Sequence, residues 1–586
     1  MGSTLPRTPA VFERKLRWRK YEELNTADGE PQSQKNYKSA AVLEDIIRSQ
    51  FEEEEKEHMM RQHTVAEAVV AYGQKAVTAA LGADLKPGGS ARVLHDGTHG
   101  VGKNPQVVPR DQARNPGPGE AKVVMAHESR RGSCTLGLTA DVRKAHRRYR
   151  VAPEDWQHQL CRLGDTVWAN EVGTFGMGSA SYWWARLFGG AGRLVLYTLM
   201  HHPFWQLIYA DDTMWTASGP KAITHLVLAL FIYTLMGFPW SWGKCRGGPT
   251  LEWVGYWMDY SKFAVGISES RARWLVDWAD RVLAANTMYM PNLAAVLGRW
   301  VYACGALDAY RPFLGPLFAW AASAPETATL PIPAAAAFIL QYLADRLRAG
   351  DRISPCTAEE GMPIECFRAD ATASNEVVAI GGWECAGCTP PEQARWFAIR
   401  LTRETHPWVW EDGEPFRHIA GLELLATLHC VEAFGDGCGE GRPMLTLSGT
   451  TDNKGNSHVV SRLLTTTFPL SAVLMQLSHT LFRKGRALHL QWAPRDQNTE
   501  ADELANMTVH RFNPDKRLYP KPDLKIMDTM LKHGTALYAR VKEARVSRQL
   551  KRIAKTNAQH FKKEDKKEKK RPKPRALALR ARDPWG

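Results

Sequence analysis

The chain is poor in cysteine, and the cysteines it has form no framework. Its 586 residues include 10 Cys at scattered spacings. The one CxxC pair, Cys385 and Cys388, has no second CxxC or His pair at zinc-binding spacing, so we expect it to lie in a turn between strands. Scattered cysteines without a framework predict a reducing compartment.

Signals for export and for membrane insertion are also missing. The first residues lack the apolar core of a signal peptide, and Pro6 stands where N-myristoylation needs Ser or Thr. One stretch, 222–240, approaches the length of a membrane span, but it contains His225 and ends in Gly-Phe-Pro, which favours a buried helix. We therefore expect a protein of the nucleus or the cytoplasm, neither secreted nor embedded in a membrane.

No repeat of fixed period is present, which excludes a solenoid or a propeller. With 44% hydrophobic residues, a chain of this length can bury several cores, so we expect three or four folded units. The composition predicts a charged, helix-prone N-terminal region over 1–75, an α/β unit over 76–260, a helical unit over 261–350, a second α/β unit over 365–510 and a linker over 511–540.

Positive charge is concentrated at the C-terminus. The formal net charge is +14, and residues 541–586 carry 17 Lys or Arg against 5 Asp or Glu, a net +12 that leaves +2 for the rest. Such a segment buries too little apolar area to fold alone, so we expect a disordered tail. It is equally compatible with a solvated nuclear-import signal and with salt-sensitive binding to nucleic acid.

The most informative motif is an apolar strand that ends in two adjacent acids, Asp211 and Asp212. Two carboxylates about 4 Å apart repel each other by about 4 kcal/mol at an effective dielectric near 20. A buried pair therefore needs protonation, a basic neighbour or a divalent metal. Seventy residues upstream, Asp141 ends another apolar strand, and three carboxylates from two neighbouring strands would hold two Mg²⁺ ions for in-line phosphoryl transfer.

The order of these pieces resembles the reverse transcriptases of retroelements, most closely those of tyrosine-recombinase-type (DIRS-like) elements of protists. The resemblance covers about residues 86–260. Its carriers are Asp141–His146, similar to motif A; Thr174–Ala180, similar to the glycine-containing motif B; Tyr209–Asp212, similar to motif C; Gly237–Lys244, similar to motif D; and Leu251–Tyr256, similar to the primer-gripping hairpin.

The resemblance implies an RNA-directed DNA polymerase with two Mg²⁺ ions, or Mn²⁺ in their place. By resemblance, the metal ligands are Asp141, Val142, Asp211 and Asp212, and Lys244 donates a proton to pyrophosphate. The implied substrate-binding residues are Lys86, Arg92, Val142, His146, Phe175 and Gly176. One departure is His146, because the family usually has Tyr or Phe there to exclude the ribose 2′-hydroxyl. We therefore leave the preference for deoxyribonucleotides open.

Four further acids resemble the Asp-Glu-Asp-Asp set of retroelement ribonuclease H domains, over about residues 366–507. Asp370 lies on a predicted first strand, and Asp452 closes a later strand. Glu423 is expected opposite the apolar face of an amphipathic helix, and Asp502 at the start of a last helix. The resemblance implies that all four hold two metal ions for RNA cleavage. Glu500 and Glu503 are interpreted as ordinary helix-start acids.

We therefore expect a multidomain α/β (α+β) protein: right-hand polymerase fingers and palm, a helical thumb or connection, and a ribonuclease H-like domain. The expected partners are RNA and DNA template-primers and deoxyribonucleoside triphosphates, contacted by the cations of 143–150 and the tail, with Trp183 and Trp184 in the core. The alternatives are a catalytically silent nucleic-acid-binding protein and a domesticated polymerase, since the chain has no aspartic protease, zinc knuckle or integrase motif. The oligomeric state is left open.

Overall fold

The structure is a computed structural model. It describes residues 33–73, 76–86, 89–109, 111–325, 327–356, 364–374, 376–411, 413–435 and 445–550, and the backbone alone of 3–5, 12–14 and 551–568. Of the predicted tail, residues 569–586 lie outside the described residues.

The N-terminal part of the chain alternates short helices and strands. Its elements are β1 (Ser3–Leu5), β2 (Phe12–Arg14), α1 (Lys38–Val42), α2 (Glu44–Lys56), β3 (Met60–Thr64), α3 (Val65–Tyr72), β4 (Ala80–Leu85), β5 (Ala91–Asp96), β6 (Val107–Pro109) and β7 (Asp111–Ala113). Phe51 of α2 packs edge-on against Trp168, with ring centroids 5.5 Å apart, and β3 pairs with Thr166–Asn170. The segment predicted as a separate helical region is therefore part of the first α/β unit from α1 onward.

A four-stranded antiparallel sheet forms the centre of that unit. The elements of this part are α4 (Pro118–Ser129), β8 (Thr135–Asp141), β9 (Leu160–Leu163), β10 (Thr166–Asn170), α5 (Ala180–Leu199), β11 (Phe204–Tyr209), β12 (Asp212–Ser218), α6 (Ala222–Leu235) and β13 (Arg246–Gly248). The sheet order is β11-β12-β8-β13. Helices α5 and α6 cover one face, where Trp184, Phe188, Trp215 and Tyr233 form an aromatic core. This sheet is called the central sheet below.

A mostly helical segment follows the central sheet. It contains β14 (Thr250–Trp253), β15 (Tyr256–Asp259), β16 (Ala264–Ile267), α7 (Glu269–Ala285), β17 (Thr287–Tyr289), α8 (Met290–Ala306), α9 (Leu314–Ser323), β18 (Thr329–Pro331), α10 (Ala334–Arg348) and β19 (Ile353–Pro355). The four helices α7–α10 occupy the region predicted to be helical. Strand β19 returns to pair with β16, so the chain closes this segment before it continues.

The last unit is a five-stranded mixed sheet covered by helices. Its elements are β20 (Glu365–Ala373), β21 (Val378–Glu384), β22 (Trp396–Arg400), α11 (Ile419–Phe434), β23 (Leu445–Thr451), α12 (Lys454–Arg462), α13 (Leu470–Lys484), β24 (Arg486–Trp492), α14 (Thr499–Ala505) and α15 (Lys525–Glu568). The order is β22-β21-β20-β23-β24, with β20, β23 and β24 parallel. The CxxC pair lies in the turn between β21 and β22, as predicted. This sheet is called the C-terminal sheet below.

The structure differs from the prediction of a disordered tail over 541–568, because helix α15 continues from the predicted linker through Glu568. Helix α15 begins at Lys525, where the side-chain oxygen of Gln476 accepts the backbone N–H groups of Ile526 and Met527 at 3.0 and 3.2 Å. Met530 and Leu537 are buried in the core that joins α15 to the helices before the C-terminal sheet. Burial of these spaced apolar residues, the last of them Val541, stabilises the first part of the helix.

The fold class expected from the sequence, a mixed α/β multidomain protein, is confirmed. No helix in the described part of the chain is long and apolar enough to cross a bilayer. The apolar stretch 222–240 forms α6, but it is not the buried helix that was predicted. One face of α6 packs on the central sheet, and its other face is exposed.

Candidate active sites

The three acids of the first motif set converge at one end of the central sheet. Asp141 is the last residue of β8, and Asp212 is the first residue of β12. The two residues are directly opposite in the antiparallel register, which places their Cα atoms about 4.5–5.5 Å apart. Asp211 precedes Asp212 in the turn, and its carbonyl accepts the backbone N–H of Val142 at 3.2 Å. We call Asp141, Asp211 and Asp212 the first acid site.

Asp211 lies in a two-residue turn that a side chain of helix α5 supports. Tyr209 and Asp212 pair across the hairpin, and Ala210 between them has φ of 52°. A positive φ is uncommon for a residue with a side chain, so the turn needs support. The indole N–H of Trp184, on α5, donates to the Ala210 carbonyl at 3.0 Å. No motif spacing in the sequence links residue 184 to this turn, so its positioning role was missed.

The electrostatics of the first acid site favour a bound cation. Burial, followed by the charge of Asp141, raises the pKa of Asp211. Burial, then the charges of Asp211 and Asp141, raises the pKa of Asp212 to about 6. Lys244 donates to both carboxylate oxygens of Asp141 at 3.0 Å. The carboxylates are therefore under-neutralised, and oxygen ligands of this kind are those that Mg²⁺ prefers.

His146 and the motif B loop lie beside these acids. The His146 ring stacks on Trp184, with centroids 6.4 Å apart, and meets Phe175 edge-on at 5.8 Å. Burial lowers the pKa of His146, while the charge of Asp211 opposes that shift. Gly176 has φ of 104°, and a Cβ there would lie 2.1 Å from the His95 carbonyl oxygen, so this position requires glycine.

The two predicted phosphate-binding cations lie on the β4–β5 hairpin. Lys86 is at its tip, where its N–H bonds the Ser90 carbonyl at 2.8 Å, and Arg92 is exposed on β5. The same strand reaches the motif B loop through the His95 N–H, which donates to the Phe175 carbonyl at 3.2 Å. Among the described residues, neither Lys86 nor Arg92 forms a hydrogen bond or an ion pair with an acid of the first acid site.

Several cations of 143–150 form ion pairs within the protein, while the side chains of Arg143 and Arg150 stay more than half exposed, so their role as nucleic-acid contacts remains a prediction. Arg147 pairs with Glu54 at 2.6 Å, Lys144 pairs with Glu57 at 3.1 Å and Arg150 pairs with Glu171 at 3.5 Å. Glu54 lies on the acidic helix α2. Sequence patterns within one segment could not predict that it pairs with Arg147. These pairs tie the N-terminal part of the chain to the first acid site's surroundings.

A cleft of about 510 Å³ opens next to the motif B loop. Its lining includes Met177, Lys103, Arg150 and Trp183. Trp183 is 37% exposed, whereas Trp184 is fully buried. The expectation that both belong to the core is therefore right for Trp184 and wrong for Trp183. An aromatic ring with cations beside it is a surface on which an unpaired base can stack.

The hairpin predicted to grip a primer is β14–β15, and two helices hold its tip. Trp253 pairs with Tyr256 across a turn formed by Val254 and Gly255, whose φ angles are 48° and 84°. The Tyr302 hydroxyl, on α8, donates to the Val254 carbonyl at 2.8 Å. Arg271, on α7, donates to the Gly255 carbonyl and to Glu252. The turn therefore depends on two side chains that sequence analysis did not identify.

A second group of acids gathers on the C-terminal sheet. Asp370 lies on β20, Glu423 lies on α11 and Asp452 follows β23. Each offers a carboxylate oxygen within 4.8 Å of the others, which makes them the one such group of three potential metal ligands found in the described part of the chain. We call these three the second acid site. The parallel pairing of β20 with β23 brings Asp370 and Asp452 to the same edge of the sheet.

Repulsion within the second acid site is strong. Burial and the charge of Asp452 raise the pKa of Asp370 to about 8, and burial and the same charge raise the pKa of Glu423 to about 7. Burial raises the pKa of Asp452 as well. The three carboxyl groups lie close together, so ionisation of one disfavours ionisation of the others. A divalent cation bound between them would neutralise this repulsion.

Two sequence expectations for these acids need correction. Glu423 does not project from a polar face, because α11 is buried almost all round and Glu423 is only 7% exposed. Asp502 lies in the first turn of α14, as expected, but it is outside the three-residue group and pairs with Arg495 at 2.5 Å. Glu500 and Glu503 pair with Arg511 at 3.1 and 3.4 Å, which agrees with a structural role on the helix.

The raised pKa of Asp370 predicts a pH-dependent local instability when divalent cations are chelated. Its folded pKa of about 8 exceeds its ordinary 3.8, so the folded state holds the proton more tightly and stability falls as pH rises from about 4 to 8. At pH 7.5 with chelator, Asp370→Asn should raise the opening free energy of β20 and β23 by about 2 kcal/mol, measured by amide hydrogen exchange. At pH 5 the gain should be smaller.

The exposed Asp496 provides the matched control for that experiment. Asp496→Asn makes the same chemical change near the second acid site without altering the buried group, so it should leave hydrogen exchange unchanged. Equal protection in the parent and in Asp370→Asn across the whole pH range would contradict the repulsion inferred for Asp370.

Comparison with known proteins gives a distant structural likeness. No family model and no curated protein sequence matches the chain. The foamy viral protease-reverse transcriptase in complex with double-stranded DNA superposes with a TM-score of 0.46 and 11% identity, covering 83% of this chain and 75% of that one. Another structure of that protein with double-stranded DNA gives 0.45 and 12% identity, covering 82% and 89%. At these scores the likeness assigns neither activity nor ligand to this chain.

Proposed function

We propose that the chain is an RNA-directed DNA polymerase of a retroelement with a ribonuclease H-like nuclease behind it. The observation that carries the proposal is the pairing of Asp141 with Asp212 across neighbouring strands, with Asp211 beside them in a supported turn. The order of motifs resembles most closely an element of the tyrosine-recombinase type, and Phe175 before the motif B glycine resembles many retrotransposons. The separate acid group on the C-terminal sheet supports the nuclease.

In this proposal, Asp141, Asp211, Asp212 and the Val142 backbone hold Mg²⁺ or Mn²⁺. The bound ions would lower the pKa of the primer 3′-hydroxyl and neutralise the triphosphate. Lys244 pairs with Asp141 at 3.0 Å and is the candidate proton donor to pyrophosphate, as the family resemblance implies. The turn of Val254 and Gly255 would hold the primer end, with Arg271 and Tyr302 as positioning residues.

The remaining residues of the first α/β unit would bind substrate. Lys86 and Arg92 are exposed on the β4–β5 hairpin and would supply the positive charge that a tetra-anionic triphosphate needs. Gly176 allows the motif B loop to lie against β5, and Phe175 and His146 border the space beside Asp211. The cleft with Trp183 and Lys103 would take the unpaired template ahead of the primer end.

At the second acid site, Asp370, Glu423 and Asp452 would hold the divalent cations of the nuclease. Cations bound there would activate a water and stabilise the leaving oxygen of an RNA phosphodiester. Asp502 would join them from the start of α14, where it is now held by Arg495. Arg495, which pairs with Asp502, would act as a positioning residue for it.

Primer extension on a homopolymer RNA template tests the polymerase. The full chain with oligo(dT) on poly(rA) should incorporate dTTP with Mg²⁺ and stop with chelator. Salt-dependent binding of the template-primer without extension would instead favour the alternative, a catalytically silent nucleic-acid-binding protein.

Sugar selection should respond to residue 146. The Tyr ring in His146→Tyr extends further than imidazole from the same position beside Phe175 and Asp211, so it should clash with a ribose 2′-hydroxyl. We expect the ratio of kcat/KM for dTTP over UTP to rise roughly tenfold. His201→Tyr, at an exposed position, is the control. An unchanged ratio in His146→Tyr would mean that another residue selects the sugar.

A further inference from the structure

Helix α6 has an apolar face that the rest of the described chain leaves open. Its 14 residues include no Asp, Glu, Lys or Arg. Leu226, Ala229 and Tyr233 are buried against the central sheet. On the opposite side Ile223, Val227, Phe231 and Leu235 recur every fourth residue and are each between 53 and 69% exposed. A helix that is apolar all round is normally buried on every side.

The neighbouring helix α5 extends the same surface. The two helices run side by side in opposite directions, because Phe188 contacts Tyr233 at 5.2 Å and His202 stacks on His225 at 4.3 Å between ring centroids. Leu194 and Tyr197 on α5, and Met200 directly after its last residue, are each more than half exposed. We call these three residues, with Ile223, Val227, Phe231 and Leu235, the α5–α6 face.

The size of the α5–α6 face is unusual for a monomer. Seven large side chains that are more than half exposed amount to on the order of 700 Å² of apolar surface, whereas the largest patch on a typical monomer is about 300–600 Å². A stable interface buries about 800 Å² on each partner. The face is therefore large enough to form the centre of such an interface with little added rim.

We propose that the α5–α6 face is the contact between two copies of this chain. The α6 ridge carries no charged side chain, and on the exposed side of α5 the charged residue Arg193 lies one turn before Tyr197. A surface that is apolar over most of its area can match itself in a two-fold arrangement that uses the same residues on both sides. The ridge at four-residue spacing is the one that packs into the equivalent groove of a second helix. Gly190, on α5, has open space around its Cβ position and so does not obstruct a close approach.

A membrane surface fits these observations less well. Helices that lie in a bilayer interface combine an apolar face with a strongly charged opposite face that is rich in Lys and Arg. The opposite face of α6 is instead buried in the protein core. The proposal concerns assembly and does not depend on the activity of either acid site.

Sedimentation and light scattering of the full chain test the proposal. Between about 1 and 100 µM the wild type should reach about twice its 65.7 kDa monomer mass. Phe231→Glu buries a charge in the contact and should raise the dimer Kd at least 100-fold. Val70→Glu is the matched control, since Val70 is an exposed apolar residue of α3 outside the face, and it should dimerise normally. Circular dichroism melting checks that each variant is folded.

Leu235→Gln gives a second, milder variant in case Phe231→Glu does not fold. A wild type that stays monomeric at 100 µM overturns the proposal. So does a dimer that both face variants leave intact, because its contact must then lie elsewhere. Flotation with phosphatidylserine-containing vesicles is the remaining arm, and vesicle binding by a monomer that is lost in Leu235→Gln would assign the face to a membrane instead.

Discussion

Asp211→Asn should abolish primer extension, with a fall in rate of at least about 10³-fold, or about 4 kcal/mol in activation free energy. The change keeps the size of the side chain but removes a charge that faces Asp141 and Asp212. Binding of template-primer should stay within about threefold of the wild type, because phosphate contacts elsewhere supply it. Rapid-quench incorporation of a single nucleotide and fluorescence anisotropy measure the two quantities.

Asp165→Asn is the control for that substitution. Asp165 is fully exposed in the turn between β9 and β10, and its ion-pair partner among the described residues is Arg162 at 3.1 Å, so both extension and binding should be unchanged. An Asp211→Asn variant that loses folding, or loses binding in proportion to extension, would contradict a metal-binding role. The Trp184 hydrogen bond goes to the Ala210 backbone, and Asn at 211 should therefore leave the turn in place.

The first acid site was predictable because its signals are local. Asp141 and the Asp211–Asp212 pair each end an apolar strand, and one register between neighbouring strands is enough to bring them together. The supporting residues carry no such signal. In the sequence, Trp184 looks like any other apolar helix residue. Its indole N–H has a hydrogen-bond partner only because α5 packs under the turn. The same holds for Arg271, which acts on a hairpin from another helix.

The burial of the helices was predicted less well, because it depends on which elements pack against each side of a helix. Glu423 was assigned to a polar face, yet α11 lies between the C-terminal sheet and α13, and nearly all its residues are inside. Helix α6 shows the opposite error, since its apolar sequence predicted full burial and half of it is exposed. In α15 a few spaced apolar residues outweigh a charged composition through contacts with distant helices. Periodicity within one segment does not contain this information.

Asp452→Asn should remove RNA-strand cleavage and leave primer extension intact. Asp452 is one of the three acids whose oxygens lie within 4.8 Å of one another, and its charge contributes to the raised pKa of both Asp370 and Glu423. Without that ligand the second acid site binds a divalent cation poorly, so cleavage of an RNA–DNA hybrid should fall at least about 10³-fold. Gel analysis of labelled RNA in the hybrid measures it, with single-nucleotide extension in parallel.

The two acid sites lie on different sheets, so a substitution in either site should remove one activity and leave the other intact. Asp211→Asn should cleave RNA normally, Asp452→Asn should extend primers normally, and Asp496→Asn should do both. Loss of extension in Asp452→Asn with unchanged folding would contradict independent sites. It would mean that the hybrid must be held at the C-terminal sheet before the primer end can reach Asp141, because α15 and the core it shares with the preceding helices couple the two units.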